Sequence, residues 1–119
     1  MRYNAVPSVI YTSPEAAGVG ETEETAAEKG MEYEIASVPM AYSGRCVAEN
    51  SMTDGICKVL VNKKDRSVIG MHMIGSYVSE MIASACIMIE MQMRVEDVRE
   101  IIFPHPTVSE IIREVAFML

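Results

Sequence analysis

The chain has 119 residues, enough for one domain that buries a core without disulfide or metal staples. Its net charge of −7 argues against nucleic acid and against anionic membrane surfaces as partners, since phosphate binding is led by Lys and Arg. Half of the residues are hydrophobic but only 6% are aromatic, so Ile, Val and 11 Met carry the apolar bulk and no stacking platform for bases is in view.

The cysteines, Cys46, Cys57 and Cys86, are odd in number, widely spaced and lack a Cys-x-x-Cys pair, which speaks against a disulfide framework and against a zinc site. With no signal peptide visible, they read as reduced thiols of a cytoplasmic protein. Cys57 and Cys86 fall in apolar elements and read as core. No run approaches the roughly 20 apolar residues of a membrane span. The longest, Met81 to Met93, is interrupted by Glu90 and Gln92.

In chain order, Val6 to Tyr11 has strand composition and is stopped by Thr12-Ser13-Pro14. Glu21 to Lys29 reads as a short helix, with Glu23 and Glu24 in its first turn and Gly30 as its stop. Met31 to Ala41 is compatible with a strand and leads into a Ser43-Gly44 turn. Ile56 to Val61 and Ser67 to Ile74 are strand-like runs joined by the polar loop Asn62-Lys63-Lys64-Asp65-Arg66. In the second run Ile69, Met71 and Met73 share one face, and Val68, Gly70, His72 and Ile74 the other. His72 reads as a structural histidine on a partly covered face.

Tyr77 to Met93 predicts a helix that is apolar nearly all round and so must be covered on more than one side. Val95 to Ile102 predicts a second short helix, and Thr107 to the end a third. Strand, helix, several strands and then helices imply an α+β domain: an antiparallel sheet with helices packed on one face, spanning residues 1–119.

The densest chemistry lies at Phe103-Pro104-His105-Pro106-Thr107-Val108-Ser109-Glu110. Two prolines stiffen the backbone around one titratable ring and hold Phe103 and His105 extended, as a proton-transfer site requires. Two readings compete for Glu110. In one, Thr107-Val108-Ser109-Glu110 is a capping box and Glu110 reaches back to the helix start. In the other, Glu110 accepts from one nitrogen of His105, fixes its tautomer and leaves the second nitrogen as a base. Spacing leaves both open.

The run Val6-Pro7-Ser8-Val9-Ile10-Tyr11-Thr12-Ser13-Pro14-Glu15 with Val19-Gly20, then Gly44-Arg45, Asp54 to Leu60, Val68 to Gly75 and His105 to Glu110 together resemble the C-terminal dimerisation (interface) domain of the FAD- and NAD-dependent disulfide oxidoreductases. The resemblance covers nearly the whole chain. Within that family it is most like the dihydrolipoyl dehydrogenases, Val108 and the flanking blocks favouring that branch.

The resemblance implies an obligate homodimer in which each active site draws on both subunits. His105 would be the acid/base histidine and Glu110 its carboxylate partner. His105 and Pro106, joined by a cis bond, would face the FAD of the partner subunit, and the last helix and the Met-rich helix would line the dimer contact. The reaction implied is oxidation of dihydrolipoyl groups with NAD as acceptor. The lipoyl groups would be carried by the acyltransferase of a 2-oxo acid dehydrogenase or by a glycine cleavage complex.

Two departures limit what this chain would do alone. It has no Gly-x-Gly-x-x-Gly dinucleotide fingerprint, and none of its cysteines matches the family's redox pair. The expectation is a piece of a longer enzyme that by itself binds neither FAD nor NAD and turns over nothing. Alternatives are another reductase of the family, resembling glutathione reductase, or a stand-alone dimerisation module without catalysis. A small thiol enzyme using Cys57 or Cys86 with His105 is a third reading, disfavoured by the apolar settings of both thiols.

Overall fold

Alternating apolar residues along the strand-like runs are brought into register by a five-stranded antiparallel sheet in a computed structural model that describes residues 1–49 and 54–119. The strands are β1 (Ser8–Ile10), β2 (Glu15–Gly20), β3 (Tyr33–Pro39), β4 (Ile56–Asn62) and β5 (Val68–Gly75), in the order β1-β2-β5-β4-β3. The helices are α1 (Glu23–Glu28), α2 (Gly44–Glu49), α3 (Val78–Glu90), α4 (Val95–Arg99) and α5 (Glu110–Ala116).

Cross-strand partners share a face, so the register writes out the two sides of the sheet. Val9, Ala17, Met73, Cys57 and Val38 form one continuous row, and Val19, Met71 and Val59 lie in the next. These side chains belong to the core, together with Met81, Ile82, Ala85 and Met88 of α3, Val95 and Val98 of α4 and Ile111, Ile112 and Val115 of α5. Three helices thus cover one face, as the element order predicts.

The opposite face carries Gly18, His72 and Lys58 in one row and Ile10, Ala16, Ile74 and Ile56 in the next. The short α1 reaches this face through Glu23, which pairs with Lys58 at 2.7 Å.

A β-bulge at Leu60/Val61 corrects the strand reading of β5. Val61 pairs with Val68 while Leu60 pairs with Gly70, so β5 holds one residue extra at Ile69. Val68 therefore turns into the core instead of sharing a face with His72, and Ile69 is only half-buried.

Helix α1 forms where its capping signals predict. Thr22 accepts from the Thr25 N–H at the start, and Gly30 follows the last turn with φ +66°. Helix α3 buries Val78, Met81, Ile82, Ala85 and Met88 and leaves Ile87 and Met91 exposed on its far side. Two elements lie where the pattern reads none. Strand β2 occupies Glu15–Gly20, and α2 follows the Ser43-Gly44 turn, capped by the Ser43 hydroxyl, which accepts from Cys46 N–H at 3.2 Å. No helix among the described residues is long and apolar enough to cross a membrane.

Candidate active site

Between α4 and α5 the chain leaves regular structure for Ile101 to Ser109, and His105 stands in this loop with its side chain 80% exposed. The His105-Pro106 bond is cis. Glu110 is the first residue of α5, and its carboxylate turns back to the loop. Nδ1 of His105 lies 3.0 Å from Oε1 and 3.2 Å from Oε2, and the Thr107 N–H donates to Oε2 at 2.9 Å.

One carboxylate therefore makes both of the contacts that the two readings of Glu110 require, to the His105 ring and to the Thr107 N–H. Only half of the expected capping box forms, because the Thr107 hydroxyl donates to the Pro104 carbonyl at 2.7 Å instead of accepting from the first turn. Helix α5 accordingly begins at Glu110, three residues later than the pattern predicts.

The Thr107 N–H and then the His105 ring hold the Glu110 carboxyl below its ordinary range. It is ionised at neutral pH and can only accept, so Nδ1 of His105 must carry the proton. Nε2 is then left with its lone pair on the exposed side of the ring. That is the form a general base needs.

The helix that presents Glu110 is fixed at its other end. Arg99 donates to the Ala116 carbonyl at 2.9 Å, Arg66 to the Leu119 carbonyl at 3.1 Å, and the Arg113 guanidinium stacks 4.9 Å from the centre of the Phe117 ring. Three cations at a helix C-terminus also oppose its negative dipole end.

The remaining candidates separate from this site. His72 sits on β5, its Nε2 2.9 Å from the Glu21 carbonyl, a structural bond. Cys57 is fully buried, and burial pushes its thiol up to about 12, so it carries no thiolate at neutral pH. Burial raises the Cys86 thiol as well. These settings weigh against the thiol-enzyme reading. Among the described residues no group of His, Cys, Asp or Glu gathers as metal ligands.

The described strands pair antiparallel throughout, unlike the parallel strand–helix unit that cradles a dinucleotide pyrophosphate. Sequence reasoning missed Ser43, whose hydroxyl donates to the Thr107 carbonyl at 3.1 Å from another element. No local signal announces a contact 64 residues apart in sequence.

An open antiparallel sheet backed by helices, with a histidine–carboxylate pair on an exposed loop, defines a small α+β domain that presents this pair outward. The chain belongs to the pyridine nucleotide-disulphide oxidoreductase dimerisation domain family, whose model matches residues 6–116. It is 44% identical over 112 residues to the mitochondrial dihydrolipoyl dehydrogenase of Sus scrofa, and 42% identical over the same length to that of Homo sapiens. Each match covers 94% of this chain and 22% of the relative, so the chain spans about a fifth of the length of these relatives. Among solved structures, the HOCl-induced flavoprotein disulfide reductase RclA of Escherichia coli superposes with a TM-score of 0.91 at 28% identity, covering 99% of this chain and 26% of that one.

Proposed function

We propose that this chain is the dimerisation domain of a homodimeric dihydrolipoyl dehydrogenase, and that it lends His105 and Glu110 to the active site of the partner subunit. The observation that carries this reading is the Glu110 carboxylate bound to Nδ1 of a histidine that is otherwise exposed. A base on the outer rim of a domain works on something brought to it from outside. Ile87, Met91, Ile102, Phe117 and Met118 are exposed apolar side chains on the helical half of the domain, which suits an interface with a second copy.

In this reading Nε2 of His105 takes the proton from a dihydrolipoyl thiol. The ring becomes an imidazolium whose Nδ1–H remains on the Glu110 carboxylate, so the new positive charge forms beside a fixed negative one. The sulfur is left as a thiolate, the form competent to attack a disulfide on the partner subunit. FAD and NAD⁺, held by the rest of the full-length enzyme, supply the electron path from dithiol to nicotinamide. The lipoyl group would arrive on the acyltransferase of a 2-oxo acid dehydrogenase or on a glycine cleavage complex. Cys46, Cys57 and Cys86 form no disulfide, which suits a reducing compartment, and the reading keeps the cytoplasm as its location although the pig and human relatives are mitochondrial proteins.

The test begins with size. An immunoblot of native lysate with an antibody against this chain should show a band several-fold larger than 13.1 kDa. A band at 13.1 kDa would leave a stand-alone dimerisation module and remove the catalytic reading. In the full-length enzyme, His105→Ala should slow dihydrolipoamide oxidation roughly 10²–10⁴-fold.

A further inference from the structure

We propose that Ser43 is a positioning residue for the His105–Glu110 pair, its hydroxyl tying the loop that carries the pair to the start of α2. The inference rests on the functional reading above. Ser43 is 1% exposed, and a buried hydroxyl must find partners. As an acceptor it caps α2 through the Cys46 N–H, and its single proton goes to the Thr107 carbonyl.

Thr107 is the hub of the loop. Its N–H donates to Glu110, its hydroxyl donates to the Pro104 carbonyl, and its own carbonyl accepts from Ser43. The first two bonds lie within residues 104–110 and move with them. The third comes from a separate element and fixes where that unit sits against the rest of the domain.

Burial of Val108, 7% exposed, seats the loop in the core, but apolar burial is non-directional and sets depth rather than twist. The Ser43 bond supplies direction. Beside it, Arg45, Glu49, Tyr77 and Met81 face Pro106 to Ser109 across an open cavity of about 360 Å³. Among the described residues that side is open. Released from Ser43, the segment can turn toward this space and take the His105 ring with it.

The experiment is a double-mutant cycle in the full-length enzyme, with dihydrolipoamide as substrate. Ser43→Ala should lower kcat on the order of 10- to 100-fold with KM little changed, as a base misplaced by about 1 Å would. In a His105→Ala background the same change should cost less than about twofold, because a residue acting through His105 has nothing left to position. Ser43→Cys, of similar size and a weak donor, should fall between wild type and alanine, and it carries the test should the alanine enzyme not fold. Wild-type kcat in Ser43→Ala would overturn the proposal. So would an equal loss in both backgrounds, which marks general damage. If His105→Ala is itself fully active, it is the functional reading that fails.

Discussion

The two histidines of this chain are held in opposite tautomers, and the difference sets where the free nitrogen of each ring points. His72 bonds through Nε2 to the Glu21 carbonyl, which only accepts, so Nε2 carries the proton. Its free Nδ1 looks into the neighbouring strand, where a Cβ built on Gly18 would stand 2.6 Å away. His105 bonds through Nδ1 to an ionised carboxylate and turns its free nitrogen to the outside. Both rings are satisfied by one strong partner. The free nitrogen of His105 lies on an exposed loop, whereas that of His72 faces the sheet over Gly18.

The sharpest way to break this contrast is to remove each ring in the full-length enzyme. His105→Ala should cost roughly 10²–10⁴-fold in dithiol oxidation, whereas His72→Ala should stay within about twofold. Comparable losses from both would mean that accessibility of the free nitrogen is not what distinguishes them.

Stability should rank the other way. Gly18→Ala puts a methyl group against the His72 ring, which must move off the Glu21 carbonyl, and urea denaturation should show a loss of about 1–3 kcal/mol. His72→Ala removes the bond without the clash and should cost about 1 kcal/mol. The reverse order would mean that the ring moves aside freely.

Acid should separate the two sites more gently. The Glu110 carboxyl is lowered, first by Thr107 and then by His105, so its contribution is fully present above the ordinary carboxylate range and is lost as pH falls through the lowered value. Urea midpoints of the wild type should therefore drop in that acid window more steeply than those of Glu110→Gln. His72→Ala should follow the wild-type curve there. Parallel curves for wild type and Glu110→Gln would show that the carboxylate contributes nothing to the loop.

The strands β4 and β5 and the helices α1 and α3 were legible because their signals are local: alternation, capping residues, a polar hairpin loop and a long apolar run. Strand β2 was not. Glu15-Ala16-Ala17-Gly18-Val19-Gly20 has little strand propensity, and it is extended because it lies between β1 and β5 and bonds to both. The side taken by Val68 depends on a bulge whose cause lies in pairing with another strand. Of the candidate site, His105 and Glu110 could be named from their spacing, but spacing offered Glu110 either the ring or the helix start. A carboxylate has two oxygens and room for several donors, so the choice was never exclusive. Ser43 stayed hidden because its partner is brought near only by the folded chain.

Because one carboxylate holds both the Thr107 N–H and the His105 ring, the loop that leads into α5 and the placement of that ring are coupled. The exchange rate of the Thr107 amide hydrogen with solvent thus becomes a clock for the site. Openings that withdraw the whole carboxylate let deuterium in at Thr107 and free the imidazole together, so protection at that one amide bounds how often the ring loses its anchor.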